Sequence, residues 1–344
     1  MAKNTRYRAA VVGLRGIGAG AVTETFTGNR RAAPHTHAAA YRLHERSDLV
    51  AACDLNPLLL DEFQNTWGDQ SNVYDDFESM LARENIDILS IATSDHSHAD
   101  LASLAIKAGV PMIFCEKPMT TRLQDADALV QAVEQSNTSF TVNHSRRWDP
   151  FFRQAYDFIR SGRIGPVRRI IATWGGPRAL EFRNGSHTVD TVNMYAGGSP
   201  AWTIGLHEHG LPDEEPAPSS LVQYDSGVLA FINQSKQLPS FTEWQIFCAK
   251  GRVRIGGHHS TVEYLTKTPH GDTEWLERQL PTQKVYRAGM LSSIDDLIQR
   301  HEGGTETFAN ARTGLLAVEI ITAMRRSHET GQSKLTFPIN REQG

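Results

Sequence analysis

Residues 7–18 read YRAAVVGLRGIG, an apolar run of strand-forming residues that ends in a turn with three glycines. A short apolar run bounded by glycine is typical of a buried strand, and the turn predicts a change of direction into a helix. Further apolar runs follow at 48–54, 87–93, 110–115 and 138–142, with helical patterns between them. Alternating strands and helices predict βαβ units and a parallel sheet, so residues 1–143 are expected to form an α/β domain.

The second part of the chain, residues 144–344, has a different pattern. Its β-rich runs are separated by turns and lie at 167–174, 220–224, 227–233, 243–249 and 252–255, before a long helical pattern at 308–326. This arrangement predicts an α+β domain with a large, mostly antiparallel open sheet.

Length and composition narrow the classes of function. A chain of 344 residues can bury two substantial cores, and its formal charge of −4 offers no basic excess for nucleic acid. Cys53, Cys115 and Cys248 are too far apart to indicate a disulfide framework or a cysteine zinc site. The first ten residues are too polar for a signal peptide, and no apolar stretch approaches the length of a membrane span. We therefore expect a cytoplasmic protein without nucleic-acid or membrane partners.

The turn after the first strand contains Gly13, Arg15, Gly16, Ile17 and Gly18. Compared with the dinucleotide fingerprint, Gly13 takes the tight turn and Gly18 permits close packing of helix on strand. Arg15 stands where glycine would let the backbone approach the pyrophosphate. Because a predicted strand precedes the turn, we expect these five residues to bind a dinucleotide.

Asp54 ends the second predicted strand. An acidic side chain there can accept hydrogen bonds from both adenosine ribose hydroxyls and would repel a 2′-phosphate, which favours NAD. Arg15 favours the opposite choice, because its guanidinium could bind that phosphate. NADP therefore stays the alternative.

Residues 19–33 form an unusually long connection between the glycines and the next helix, which we predict from Pro34 to about Glu45. Proline suits the first position of a helix. Arg30 and Arg31 in this connection either fold back onto the cofactor or form a solvated tip.

Glu116, Lys117 and Pro118 close the apolar run 110–115. Desolvating an unpaired ammonium is costly, so a lysine at the end of a buried strand usually has a function. In open α/β sheets the ligands lie at the carboxyl ends of the strands, where this lysine falls. The alternative is a surface salt bridge after an edge strand.

Taken in order, four motifs resemble the glucose–fructose oxidoreductase/inositol dehydrogenase (Gfo/Idh/MocA) family: residues 13–18, Asp54, residues 93–98 (TSDHSH) and residues 116–118. Residues 146–150 and 162–167 are similar to the family's crossover motif and to its turn into the large sheet, so the resemblance spans the chain. It implies that residues 1–143 are a dinucleotide-binding Rossmann domain. Residues 144–344 would then bind substrate and associate as a homodimer or homotetramer.

The resemblance also implies roles for residues of the first domain. Lys117 would be the catalytic lysine beside the nicotinamide and Glu116 its neighbour in the cofactor pocket, with a cis bond between Lys117 and Pro118. Thr93, Ser94 and His98 match the motif that lies along the cofactor, and Ser94 replaces the usual proline.

Residues 184–190 (NGSHTVD) are similar to the family's acid/base segment. His187 matches the histidine and Asp190 a later aspartate, but Arg183 stands where the family has an aspartate. A histidine suits proton exchange at neutral pH, and Lys117 would stabilise charge on the substrate oxygen. The alternative for His187 is a capping histidine. We expect substrate contacts from Arg147, Arg183, Asn184 and Asp190.

Two histidine clusters, residues 207–209 (HEH) and 258–259, raise the question of a metal. A protein metal site usually has three or four converging ligands, and no third ligand is identifiable, so we expect none.

These features predict an NAD(P)-dependent oxidoreductase that moves hydride between nicotinamide and a CH–OH group of a sugar, sugar acid or cyclitol. One alternative is a relative that recycles a tightly bound NAD, as an oxidoreductase or in redox-assisted glycoside cleavage. A second is a non-catalytic dinucleotide-dependent sensor.

Overall fold

In a computed structural model, the chain is described for residues 5–20, 34–67, 71–208, 215–256, 259–267, 270–280 and 289–341. It divides into two compact units. The first unit comprises residues 1–148 and 285–315, and the second comprises residues 149–284 and 316–344. Residues 285–315 thus return to the first unit, which a single boundary at residue 143 did not anticipate. The functional division at that residue stays a prediction.

Six parallel strands form the sheet of the first unit, in the order β3-β2-β1-β4-β5-β6. They are β1 (Tyr7–Val12), β2 (Ser47–Cys53), β3 (Asn72–Tyr74), β4 (Ile88–Ile91), β5 (Met112–Cys115) and β6 (Ser139–Val142). This order is that of the doubly wound Rossmann fold, so the predicted α/β class is confirmed. Strand β3 was not predicted, because its three residues carry no recognisable periodicity.

The register of the first sheet aligns its strand ends. Val12 lies opposite both Cys53 and Ile91, and Cys115 lies opposite Ile91 and Val142. The residues that follow these strand ends therefore lie along one edge of the sheet, at its carboxyl side.

The helices, in chain order, are α1 (His37–Leu43), α2 (Pro57–Trp67), α3 (Phe77–Arg83), α4 (His98–Lys107), α5 (Leu123–Glu134), α6 (Pro150–Arg160), α7 (Gly185–Ala196), α8 (Gly289–His301) and α9 (Ala311–Glu329), with short 3₁₀ turns at Asp95–Ser97 and Ser145–Arg147. Helix α8 belongs to the first unit, because its buried Met290, Ile294 and Leu297 join the core formed by β1 and α1.

The sequence predicted that helix α1 begins at Pro34, but the helix begins at His37. Thr36 is its N-cap, and the Thr36 hydroxyl accepts a hydrogen bond of 3.2 Å from the Ala39 N–H. The Thr36 side chain can accept a hydrogen bond from a free N–H of the first helical turn, whereas a proline side chain has no acceptor. Thr36 therefore determines where helix α1 begins. The chain is extended again at His44, which ends the helix before Glu45.

The second unit contains a nine-stranded sheet in the order β14-β13-β12-β11-β7-β10-β9-β8-β15. Its strands are β7 (Val167–Gly175), β8 (Pro200–His207), β9 (Pro218–Tyr224), β10 (Leu229–Ser235), β11 (Phe241–Cys248), β12 (Gly251–Gly256), β13 (His259–Lys267), β14 (Thr273–Gln279) and β15 (Leu335–Thr336). Among the described strands of this sheet, only β7 and β10 pair in parallel. The predicted large, mostly antiparallel sheet is confirmed. The additional strands β8, β13, β14 and β15 were not predicted.

Among the helices that the structure describes, none combines the length and the apolar character that crossing a membrane requires.

Candidate active site

The glycine turn needs glycine at two positions for different steric reasons. Gly13 has φ +85°, and a Cβ there would lie 2.5 Å from the Thr93 backbone nitrogen. A Cβ at Gly18 would lie 1.9 Å from the Gly13 carbonyl oxygen. Both contacts are with backbone and cannot be relieved by moving a side chain. These glycines let β1, the turn and the end of β4 approach one another closely.

The middle of the turn offers donors to an anion. Arg15, Gly16 and Ile17 are exposed. Within the described part of the chain their backbone N–H groups make no hydrogen bond. Successive N–H groups in such a turn form a concave anion site, so the turn fits the pyrophosphate of a dinucleotide.

Helix α1 is joined to the turn although residues 19–36 intervene. The His37 N–H donates to the Ile17 carbonyl at 2.9 Å, and the Ala38 N–H donates to the Gly18 carbonyl at 2.9 Å. The helix therefore starts against the glycines, as in a turn of ordinary length. The predicted roles of Arg30 and Arg31 fall on residues 21–33, outside the described residues.

Asp54 lies at the end of β2, next to the turn. Its Oδ2 accepts the Leu14 N–H at 2.8 Å, and its Oδ1 accepts the Asn56 N–H at 2.9 Å. The carboxylate is half-buried. A carboxylate oxygen can accept more than one hydrogen bond, so the group is held in place and can still bind ribose hydroxyls.

The loop after β4 is tied to the loop after β5 by His98. The His98 ring is 1% exposed, with Nδ1 2.7 Å from the Pro118 carbonyl oxygen and Nε2 3.1 Å from the Thr93 carbonyl oxygen. The Thr93 hydroxyl accepts from Ser97 at 2.8 Å, and Ser94 is exposed. His98 therefore holds two loops of the sheet edge together. Cofactor contacts for Thr93, Ser94 and His98 stay predictions.

Glu116 is a buried carboxylate surrounded by donors. Its Oε1 is 3.1 Å from His37 Nε2 and accepts from Asn143 Nδ2 at 2.5 Å, and its Oε2 accepts the Lys117 N–H at 3.2 Å. Burial acts to raise the pKa of Glu116, but the contacts with His37, Lys117 and Asn143 outweigh it and lower the pKa to about 2. Glu116 is therefore an anion at neutral pH. The Lys117–Pro118 bond is cis, as the resemblance implied.

In the second unit, the predicted acid/base segment enters helix α7. His187 lies in the first turn of α7, half-buried, and its ring stacks on Trp174 of β7 with centroids 6.5 Å apart and planes 14° apart. Asp190 follows one turn later and is fully buried. The catalytic role of His187 and the substrate role of Asp190 stay predictions.

Arg183 and Asn184 precede α7 and differ in burial. Arg183 is exposed, whereas Asn184 is 5% exposed and its amide donates to the Arg178 carbonyl. That donor group of Asn184 thus holds the local backbone. The substrate contacts expected of both residues stay predictions.

Two carboxylates hold the segment before α7. Glu181 is fully buried and forms a bidentate ion pair with Arg325 of α9, whose guanidinium also lies 5.1 Å from the centre of the Phe182 ring. Burial raises the pKa of Glu181, and Arg325 opposes this shift. Glu215 accepts the Phe182 N–H at 2.5 Å.

Arg147 belongs to the first unit and is half-buried. Its Nη1 donates to the Phe308 carbonyl at 2.7 Å. This bond holds the 3₁₀ turn after β6 to the segment before α9, and the expected substrate contact of Arg147 stays a prediction.

The histidine clusters do not converge on a metal in the described residues, where no group of three His, Cys, Asp or Glu side chains could hold one. His207 stacks on His328 at 5.0 Å, and its Nε2 is 3.8 Å from Glu181 Oε1. Burial, followed by His328 and Arg325, lowers the pKa of His207 to about 4, so the ring is neutral at pH 7. His209 and His258 lie outside the described residues.

Four polar residues of the first unit were not predicted from the sequence: Tyr41, Ser90, His37 and Asn143. Each is 5% exposed or less, and together they connect α1 to Glu116. A signal existed in the run His37-Ala38-Ala39-Ala40, where one polar side chain shares a buried helix with alanines.

The parallel sheet, the glycine turn and Asp54 define a dinucleotide-binding Rossmann protein. A family model described as "Oxidoreductase family, NAD-binding Rossmann fold" (GFO_IDH_MocA) matches residues 8–144. The chain is 35% identical over 327 residues to the D-apiose dehydrogenase of Paraburkholderia graminis, an alignment that covers 86% of this chain and 85% of the relative. It is 26% identical to the inositol 2-dehydrogenase of Rhizobium meliloti, with coverage of 85% and 92%.

Among solved structures, the WlbA dehydrogenase from Bordetella pertussis in complex with NADH and UDP-GlcNAcA has the same fold, with a TM-score of 0.78 at 22% identity and coverage of 98% and 99%. The chain belongs to the Gfo/Idh/MocA family and is an NAD(P)-dependent oxidoreductase.

Proposed function

We propose that the protein is a dehydrogenase that transfers hydride between nicotinamide and a secondary alcohol carbon of a small carbohydrate or cyclitol. The observation that carries this proposal is the position of Lys117. It follows β5 on the same carboxyl edge as the glycine turn and Asp54. A cation at that edge is suited to stabilising charge that develops on a substrate oxygen.

The bound dinucleotide supplies the hydride acceptor. Lys117 donates a hydrogen bond to the reacting hydroxyl, and His187 takes the hydroxyl proton as the carbon loses hydride. In the reverse direction His187 returns the proton to the carbonyl oxygen. Glu116, an anion whose Oε2 accepts the Lys117 backbone N–H, holds the backbone from which the lysine side chain extends.

NAD is the proposed cofactor in preference to NADP. The support is the Asp54 carboxylate, which two backbone N–H groups fix beside the glycine turn. A negative charge held there accepts hydrogen bonds from the ribose and repels a 2′-phosphate. Arg15 is exposed in the same turn, so the comparison of NAD with NADP needs a direct titration.

The proposed substrate class rests on the relatives, among them a D-apiose dehydrogenase and inositol dehydrogenases. We include sugar acids, because Arg183 is exposed ahead of α7 at the position expected for an acidic residue. Substrate contacts are proposed for Arg147, Arg183, Asn184 and Asp190.

The test is a screen of NAD reduction at 340 nm against pentoses, hexoses, their aldonic acids and inositols. We expect one group to be oxidised with turnover that depends on Lys117. If no member of the panel is oxidised and the purified protein carries no bound nicotinamide, the proposed activity is wrong. If nicotinamide stays bound to the protein through gel filtration, the alternative function is favoured, in which a tightly bound NAD is recycled and not released.

We further propose a cytoplasmic homodimer or homotetramer. The support is a row of apolar side chains on one face of the large sheet, where Ile204, Leu221, Phe231 and Ile171 lie opposite one another on adjacent strands. None of the four is buried, although apolar rows of this kind are usually covered. Sedimentation equilibrium of the wild type and of Phe231→Glu tests this, and a monomeric wild type would overturn it.

A further inference from the structure

A continuous series of buried polar contacts leads from α1 to Glu116. The Tyr41 hydroxyl is 2.7 Å from Ser90 Oγ, and Ser90 Oγ is 2.8 Å from His37 Nδ1. His37 Nε2 is then 3.1 Å from Glu116 Oε1. Tyr41, Ser90 and His37 are all 0% exposed. Buried polar groups of this kind are costly unless each is hydrogen-bonded, so the direction of every bond matters.

The acceptor at one end fixes the directions. A carboxylate only accepts, so His37 Nε2 must carry a hydrogen and donate it to Glu116. If the ring is neutral, Nδ1 accepts from Ser90, and Ser90 accepts from Tyr41. Burial raises the pKa of Tyr41 well above its ordinary value, so the phenol keeps its proton.

A charged His37 ring would break this order. Nδ1 would then donate to Ser90, and one of the two hydroxyl hydrogens of Ser90 and Tyr41 would have no acceptor within the described residues. With Nε2 as its donor and Nδ1 as its acceptor, the ring leaves none of the three side chains without a hydrogen-bond partner. Its single donor faces Glu116.

Two further contacts fix the position of His37. Its ring packs edge-on against Phe114 of β5, with centroids 4.7 Å apart. Its backbone N–H donates to the Ile17 carbonyl in the glycine turn at 2.9 Å. One residue therefore contacts both the proposed phosphate turn and the carboxylate that precedes Lys117.

We propose that His37 is a positioning residue for the proposed hydride transfer: through its Nε2–H bond it orients the Glu116 carboxylate, and thereby the Lys117 segment, relative to the glycine turn. This inference rests on the proposed function. Removing the donor leaves a buried carboxylate short of one hydrogen bond and lets it rotate away from the Lys117 N–H. Misplacement of a catalytic group by about 1 Å can lower turnover by about 10²-fold.

Two substitutions of His37 distinguish its hydrogen bond to Glu116 from its contribution to packing. The side-chain amide of glutamine can reach the place of Nε2, whereas the shorter asparagine reaches only the place of Nδ1. His37→Gln therefore keeps a donor for Glu116, and His37→Asn keeps a polar group only towards Ser90. We expect kcat within about threefold of wild type for His37→Gln and lower by ten- to a hundredfold for His37→Asn, with the KM for NAD little changed in both.

The pH dependence gives a second measurement. The hydrogen bond from His37 is one of the contacts that hold the pKa of Glu116 low, so its loss should raise that pKa. The acidic limb of the kcat profile should therefore move to higher pH by more in His37→Asn than in His37→Gln. Equal kcat values and equal pH profiles for the two variants, with Lys117→Ala impaired, would overturn the role of His37 and leave the proposed function standing.

A comparison of thermal unfolding needs no substrate. The gap in Tm between His37→Asn and His37→Gln should be wide at pH 7 and narrow towards pH 5, as the stranded Glu116 becomes protonated. A gap independent of pH would contradict the His37–Glu116 contact. If the wild type is inactive on every substrate, the proposed function is refuted. The Tm comparison of the two His37 variants needs no activity and still tests the contact between His37 and Glu116.

If His37→Asn does not fold, Ser90→Ala replaces it, with Ser103→Ala as the matched control. Among the described residues, the Ser103 hydroxyl donates only to the Ala99 carbonyl of its own helix, α4. Ser90→Ala should lower kcat several-fold by freeing the His37 ring, while Ser103→Ala should not change it. Equal kcat for these two serine variants would contradict the ordered series of hydrogen bonds.

Discussion

The carboxyl edge of the first sheet and the segment 181–190 of the second unit carry the two halves of the proposed chemistry and are held in different ways. At the sheet edge, Gly13, Asp54 and Glu116 follow β1, β2 and β5, whose ends the register of one sheet brings to the same edge. The segment 181–190 contains no strand. Glu215 and Arg325 hold it through side chains that are distant in sequence.

The difference indicates what each half tolerates. A side chain at the sheet edge can be removed without dismantling the strands that present its neighbours, so its loss should affect chemistry more than stability. The segment 181–190 depends on a few polar contacts, including a fully buried carboxylate. Loss of one such contact should lower stability and displace the residues before α7 together.

The largest expected effect is that of Lys117→Ala. Loss of a donor to the developing oxyanion should lower kcat by about 10³-fold, with unfolding and NAD binding nearly unchanged. Lys107→Ala is the matched control, because Lys107 is exposed in the last turn of α4. If the kcat of Lys117→Ala stays within a few-fold of the wild-type value, Lys117 has no catalytic role at the sheet edge.

His187→Gln should have the next largest effect. Removal of a general base typically costs 10²- to 10⁴-fold, and we expect about 10²-fold in kcat because water can take the proton. His270→Gln is the control, since His270 is exposed in a turn of the same unit. Raising the pH should restore part of the lost rate. Unchanged kcat would reduce His187 to a residue that packs on Trp174.

The sequence indicated which residues follow the strands at the sheet edge, but it did not indicate the contacts that hold the segment 181–190, and the reasons are physical. Strand runs and their following residues, such as Gly13, Asp54 and Glu116, are local patterns, and parallel strands must place them on one edge. His37 was missed because its partner Glu116 is 79 residues away. The Glu181–Arg325 pair spans 144 residues, so neither residue stands out in any local window.

Arg325→Met tests how the segment 181–190 is held. The Arg325 side chain is 42% exposed but its partner Glu181 is 0% exposed, so we expect a loss of about 2 kcal/mol, between the values for exposed and buried pairs. Arg254→Met is the matched control. Arg254 is also 42% exposed, but its partners Glu243 and Glu263 are 29% and 16% exposed, so its loss should stay below about 1 kcal/mol. Urea unfolding measures both.

The pH dependence of Arg325→Met has a definite sign. Burial already raises the pKa of Glu181, and without Arg325 it rises further. The native state then binds a proton more readily than the unfolded state, so the stability lost at pH 7 should be partly regained as the pH falls towards 5. A deficit that grows on acidification would show that the pair does not hold this segment.

The smallest expected effect concerns the choice of dinucleotide at the sheet edge. Asp54→Asn removes the charge that would repel a 2′-phosphate but keeps an oxygen that can accept the Leu14 or Asn56 N–H. The ratio of Kd values should therefore shift towards NADP by about tenfold, or roughly 1.4 kcal/mol, without loss of stability. Arg15→Ala should shift the ratio the other way if Arg15 holds the phosphate.

Because Arg15 is exposed and Asp54 is fixed by two backbone donors, we expect the aspartate to dominate. Tighter binding of NADP than NAD by the wild type would reverse that order and make Arg15 the determinant.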